Sequence, residues 1–357
     1  MKLKKTIIAI LALMLLILTY GFKKAERKAE IEVTIRNGVL EKIEERRPQE
    51  VFVYEVQRGN PALWMKKLAE LVGIKGRIQE TKDILFVKNG KRYLEVRKPS
   101  TAAFYGDMSL LWMEEPSPEK IQFKVPGDEE TRKMILEWLS KFGFADADLK
   151  SLDISISDEI FEITVPDKKE TPMRVVVGKN VEVRQRISNL SVFGPGSKIK
   201  FYIGGNGEVN GFTAVWRQVL PNSSVLGHKP AEGKPRGKMT KPISSQEAFK
   251  ALKKNPLDHL PLALVYKIEI DIVDFGYYSR SAAEYQKYLQ PVYVFSGTAF
   301  AKLPDGKNVG VPYKQYVVAL KKPLESIWPE TRYIKPKPRV EGRIPMREED
   351  RDEKGGQ

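Results

Sequence analysis

The stretch "SVFGPGSKIKFYIGGNGEVNGFTAVWRQV", residues 191–219, carries six glycines, and its reading decides the fold class. A phosphate-cradling loop needs the spacing G-x-x-x-x-G-K-[ST], so that successive backbone amides wrap the phosphates and the lysine reaches them. "GPGSK" lacks that spacing. "GGNGEVN" is not G-x-G-x-x-G either, because Asn210 stands at the final glycine position. Ile199, Phe201 and Ile203 instead alternate with Lys198, Lys200 and Tyr202, the period of a strand. Gly204-Gly205-Asn206-Gly207 supplies residues that tolerate positive φ, and "EVNGFTAVWRQV" returns as a partner strand. The stretch reads as an antiparallel β-hairpin that binds no nucleotide, with Gly205 and Gly207 both expected at positive φ.

Outward from the hairpin, helices alternate with groups of strands. "IEVTIRNGVLEKI" carries Asn37-Gly38, a two-residue hairpin signal, and "EVFVYEV" follows as a strand. A helix starts at Pro61 behind Asn60, with Leu63, Trp64, Leu68, Leu71 and Val72 as its apolar stripe and Gly73 at its end. The strands "DILFVK" and "KRYLEVRK" flank Asn89-Gly90. A second helix, "DEETRKMILEWLSKFGF", opens on acidic residues at the positive end of its dipole. Met134, Ile135, Trp138, Leu139 and Phe142 fall on one face, and the strands "LDISIS", "EIFEITV" and "MRVVVG" follow. A third helix, "ISSQEAFKAL", has Ser244 and Glu247 at capping-box spacing, and long strands follow near 262–275, 291–301 and 311–320. The expected class is α+β: repeated units of one helix packed on a small antiparallel sheet. The boundaries are a first unit at 29–115, a second at 116–185, the hairpin segment at 186–221, a basic linker at 222–242, a third unit at 243–333 and a disordered tail at 334–357. The helix starts near 61, 128 and 244 are irregularly spaced, which excludes a solenoid.

The chain of 357 residues has 41% apolar residues, enough for real cores, and a formal charge of +15. Residues 1–28 carry +6 of this (seven basic, one acidic) and the tail +1, leaving +8 for the main body. "MKLKKTIIAILALMLLILTYGFKKAERK" is a basic start, an uncharged run from Thr6 to Phe22 and a second basic cluster. "LTYGF" offers no small-residue cleavage site, so the segment reads as a retained, single-pass signal anchor with the main body outside the cytoplasm. That location argues against nucleic acid as the reason for the basic charge. The abundance of Lys, Glu and Arg fits a warm-growing source.

The chemistry-bearing residues are sparse. There is no cysteine, and His228 and His259 are the two histidines, which removes thiol nucleophiles, disulfides and His-based metal cages. "FSGTAF" places Ser296 in a strand without the first glycine of a nucleophile elbow. Asp271 and Asp274, three apart in a strand, face opposite ways and read as surface carboxylates. His259 reads as a packing or capping residue. No catalytic residue, cofactor site or metal site is expected. The unusual composition is "DFGYYSRSAAEYQKYLQPVYVF", where Tyr277, Tyr278, Tyr285, Tyr288 and Tyr293 surround Arg280. Tyrosine and arginine are enriched at interfaces, so Tyr277, Tyr278, Arg280, Tyr285 and Tyr288 form one candidate partner-binding face, and Trp216 with Arg217 a second.

"VFGPGSKIKFYIGGNGEVNGFTAVWRQV", the capped "ISSQEAFKAL" and the strand "YLQPVYVFSG" together resemble the FTP-plus-PepSY arrangement of thermolysin-type propeptides and of exported regulatory proteins. The anchored layout of short helix-plus-strand units is similar to the YycH/YycI regulators of a cell-wall sensor kinase. The resemblance spans about 190–320. It implies binding and inhibition without catalytic residues. No protease domain follows, so the propeptide role itself does not carry over. The functional expectation is a membrane-anchored, extracytoplasmic, non-catalytic regulatory module that contacts a protein or a cell-envelope polymer. An exported hydrolase with an unfamiliar site is the alternative.

Overall fold

A computed structural model describes residues 31–107, 124–145, 149–150, 152–163, 173–219, 236–257, 265–303 and 306–327. The expected signal anchor, the tail 334–357, both histidines and residues 222–235 of the basic linker lie outside the described residues. None of the described helices is long and apolar enough to cross a membrane. The class is α+β, dominated by strand, with four helices and two eight-stranded sheets among the described residues.

The first sheet is wholly antiparallel. Its strands are β3 (Gln79–Glu80), β4 (Ile84–Asn89), β5 (Arg92–Arg97), β6 (Ala103–Asp107), β7 (Asp153–Ile163), β8 (Met173–Arg184), β11 (Lys198–Ile203) and β12 (Val209–Val215). Their spatial order is β3-β4-β5-β6-β12-β11-β8-β7. Strands expected in the units 29–115 and 116–185 therefore share one sheet with the hairpin of 186–221. Two helices cover one face. Helix α2 (Pro61–Leu71) starts because the Asn60 side chain accepts the Leu63 amide and Pro61 needs no donor there; Gly73, at φ +62°, ends it. Trp64, Met65 and Leu68 are its buried stripe. Leu63, expected in that stripe, is 49% exposed, because it lies one position ahead of the Trp64–Leu68–Val72 row. Helix α3 (Asp128–Phe142) buries Thr131, Ile135, Leu139 and Phe142 at helical spacing and closes on Gly143 at φ +104°. Trp64, Phe142, Phe201 and Phe212 pack in this core, with Phe142 and Phe212 edge to face at 5.2 Å.

The second sheet is mixed. It contains β1 (Glu32–Ile35), β2 (Val51–Glu55), β9 (Arg186–Ile187), β10 (Leu190–Phe193), β13 (Gly237–Thr240), β14 (Val265–Tyr278), β15 (Tyr288–Lys302) and β16 (Asn308–Val318). The long β14 pairs antiparallel with β15 and parallel with β1 at one end and β10 at the other. The Asn37-Gly38 hairpin is not formed. Gly38 at φ +77° instead turns the chain into helix α1 (Val39–Arg46), because Leu40 gains a buried site there and β1 finds its partner 234 residues away. Residues 237–240, expected in the linker, form an edge strand on β2. Helix α4 (Ser245–Lys254) carries the full capping box: Ser244 Oγ accepts the Glu247 amide and Glu247 accepts the Ser244 amide. A bulge between Ile270 and Ile272 shifts the alternation of β14, so Asp271 and Asp274 are both at the surface rather than on opposite faces.

Among the described strands, the chain passes between the two sheets four times: after β2, between β8 and β9, between β10 and β11, and after β12.

Candidate functional site

The strands expected near 262–275 and 291–301 extend into the tyrosine stretch, as Val265–Tyr278 and Tyr288–Lys302. Tyr277 and Tyr278 end β14 and are 1% and 4% exposed, so neither offers a partner face. Because successive strand residues point oppositely, Tyr277 enters the helix-covered core and Tyr278 packs on the other face, 4.7 Å from the Tyr316 ring. The Tyr277 hydroxyl donates to the Phe52 carbonyl at 2.8 Å, and its ring meets Tyr54 edge-on at 5.4 Å. Tyr293 is likewise buried and donates to the Ile243 carbonyl. Burial pushes the Tyr278 phenol up to about 12. Tyr285 and Tyr288 remain half-buried, Tyr285 in the loop 279–287 and Tyr288 at the start of β15.

Gln286, which composition did not single out, holds that loop. Its buried side-chain amide donates to the Tyr278 and Tyr288 carbonyls at 2.8 and 2.9 Å and accepts the Arg280 amide at 2.9 Å. Arg280 pairs with Glu284 at 3.6 Å. A lone glutamine in a polar stretch carries no sequence signal of this role.

Trp216 is 5% exposed and stacks edge-on to Phe144 at 4.8 Å, so it belongs to the core of the antiparallel sheet and not to a surface. Arg217 is 2% exposed. Its Nη2 donates to the carbonyls of Arg280, Ser281 and Glu284 at 3.3, 2.9 and 3.0 Å, and Nη1 reaches Ser100 O at 3.5 Å. The two candidate patches thus meet: an arginine leaving the antiparallel sheet caps the carbonyls of a loop of the mixed sheet. Burial, reinforced by the charge of Arg280, lowers the Arg217 guanidinium to about 10.

The glycines of "GPGS" serve the same junction. A Cβ on Gly194 would overlap Ser279 O and the Tyr278 ring, and one on Gly196 would overlap Arg280 O. Gly196 also donates its amide to Ser279 O at 3.1 Å. These glycines allow close backbone approach, not phosphate binding. Farther along, the hairpin turn has Gly207 at φ +81°, whereas Gly205, expected at positive φ as well, is not.

Beside Arg217 lies a cavity of about 200 Å³, lined from both sheets by residues that include Gln57, Arg58, Lys98, Trp216 and Tyr285. The Arg58 guanidinium sits over the Tyr285 ring, 4.4 Å from its centroid. A wider groove of about 540 Å³ runs between α4, β16 and residues 320–327. No group of three metal-ligating side chains occurs among the described residues.

No family model matches the chain, and no curated protein matches it. Among solved structures it is similar to an uncharacterized protein from Eubacterium rectale, at 9% identity and a TM-score of 0.42, over 81% of this chain and 88% of that one.

Proposed function

We propose that the protein is a membrane-anchored, extracytoplasmic, non-catalytic regulatory module, and that the junction between its two sheets is the contact site for a protein or cell-envelope polymer. The observation that carries this is the junction itself, where Arg58, Trp216, Arg217 and Tyr285 line one cavity held between two sheets. Arg and Tyr are among the residue types that dominate binding energetics at interfaces. Half-buried Tyr285 and exposed Arg58 supply the accessible part, while Arg217 and Gln286 fix the loop that presents Tyr285. The capped helix α4 followed by antiparallel β14, β15 and β16 supports the FTP–PepSY resemblance. The uncharged Thr6–Phe22 run supports the anchor.

In-cell cross-linking of the full chain, followed by mass spectrometry, identifies the partner. Tyr285→Ala and Arg58→Ala should each lose that adduct and melt within about 4 °C of wild type. Retention of the adduct in both variants contradicts the reading. External protease should digest the main body in intact cells; full protection contradicts the proposed location.

A further inference from the structure

We propose that the junction cavity is an oxyanion site: it takes a carboxylate or phosphate group of a ligand, with the Arg217 guanidinium in its wall and Arg58 as the second unpaired cation, beside a Lys98 that Glu80 holds. The inference rests on reading the junction as the contact site and names the chemistry it recognises. Three cations, Arg58, Lys98 and Arg217, line the cavity, and no carboxylate does.

Glu284 pairs with Arg280, and Glu325 accepts the amides of Lys287 and Tyr288. Glu80 pairs with Lys98 at 2.5 Å, which leaves Arg58 and Arg217 as the unpaired cations of the cavity. Neither Arg58 nor Arg217 makes an ion pair with any described residue. A guanidinium withdrawn from water is costly unless its charge and donors are matched. Four carbonyl dipoles meet the two terminal nitrogens of Arg217, yet its Nε is buried without a partner. Arg58 spends its charge on a ring, a contact that consumes no N–H donor. Both arginines line the same small cavity, and neither is neutralised by a carboxylate there.

The wall is also strained. Thr101, a β-branched residue, is held at φ +55°, a conformation such residues rarely adopt. It is kept there by its amide bond to Arg97 O at 2.8 Å and by Ser100, whose hydroxyl bridges to Ala282 O across the junction. Strain that persists inside a cavity wall fits a site held ready for a ligand.

The volume, about 200 Å³, lies below the range of about 300–1,000 Å³ typical for drug-sized ligands. It suits a headgroup rather than a whole cofactor.

The test is isothermal titration of inorganic phosphate and, separately, of glutarate into the detergent-solubilised full chain at constant ionic strength. Saturable one-site binding is expected for at least one probe, weakened about tenfold or more in Arg58→Gln/Lys98→Gln, as loss of charge-assisted hydrogen bonds requires. Tighter phosphate binding assigns the group to a phosphate ester, and tighter glutarate binding to an acidic side chain. Absence of saturation by either probe overturns the proposal, and so does binding unchanged in the double variant. If the double variant melts early, Arg58→Gln alone replaces it in the titration, with weakened binding supporting the site and unchanged binding overturning it. The titration is independent of partner capture. Binding that persists while Tyr285→Ala keeps its cross-link sinks the functional reading and not the oxyanion site; the converse result sinks only the site.

Discussion

Replacing Tyr277 and Tyr285 one at a time by alanine separates scaffold from contact surface. Tyr277 is 1% exposed, and its ring lies against Tyr54 with its hydroxyl on Phe52 O. Burying an aromatic side chain removes roughly 200 Å² from water, worth about 5 kcal/mol at about 25 cal/mol per Å². The retained Cβ and a compact unfolded chain reduce that figure, and measured aromatic-to-alanine losses run at about 3–5 kcal/mol. The lost hydrogen bond adds about 1 kcal/mol, so Tyr277→Ala should lose about 4–6 kcal/mol. With a urea slope of about 3 kcal/mol per M, the midpoint falls by about 1.5 M. Tyr277→Phe isolates the hydroxyl and should lose about 1 kcal/mol. Half-buried Tyr285, beneath Arg58, should lose under about 1 kcal/mol of stability but more than about 1 kcal/mol of partner binding. The assay is urea unfolding by tryptophan fluorescence, paired with cross-link yield. A Tyr277→Ala midpoint within experimental error of wild type would refute the core placement, and a Tyr285→Ala midpoint lowered by more than about 1 M would refute the surface placement.

Three further outcomes follow from particular contacts. Gly196→Ala should cost about 2 kcal/mol or more, because its Cβ meets the Arg280 backbone rather than a flexible side chain, and calorimetry of the purified chain measures the loss. Gly207→Val should lower the melting temperature, since Gly207 is at φ +81°, a conformation costly for a β-branched residue; an unchanged melting temperature would contradict the turn geometry. The Arg47 hydrogen bond, aided by the Ser245 amide, holds the Glu44 carboxyl down from its ordinary 4.5 to about 2. Its stabilisation is therefore complete above about pH 4.5 and disappears as the pH falls towards 2. With 38% of that side chain exposed, solvent screening holds its worth to about 1 kcal/mol. Glu44→Gln should cost this amount at neutral pH, with the difference from wild type vanishing near pH 2 in acid titrations followed by circular dichroism.

Local chemistry was legible and distant pairing was not. The Ser244–Glu247 cap, Pro61 behind Asn60 and Gly143 all mark real helix ends, since each acts within one turn of chain. The alternation from Ile199 to Ile203 marked a real hairpin strand, paired with β12. Asn37-Gly38 misled because a helix start and a hairpin turn both welcome positive φ, and what decides between them is β14, far along the chain. Alternation says which face of a strand is wet but not which sheet receives it, so the small sheets expected for separate units merge into two large ones. Tyr277 and Tyr278 looked like a contact surface because composition cannot tell an amphipathic ring at an interface from one whose hydroxyl finds a backbone carbonyl inside. Arg217 stands out by its type, but three of its four carbonyl partners come from a loop more than sixty residues away and the fourth, Ser100 O, from the antiparallel sheet side.

The four passages between the sheets set a timetable for synthesis. Every strand of the antiparallel sheet has left the ribosome once Val215 emerges, whereas β1 and β2 are still without their neighbours. At about 5–20 residues per second, β1 waits roughly 10–50 s for the part of β14 that lies 234 residues downstream. During that interval its unpaired edge is open to other chains. The late arrival of β14, β15 and β16 then zips both ends of the sequence into one body, so a nascent chain truncated before Val265 should hold a finished antiparallel sheet and an adhesive, unmated N-terminal strand.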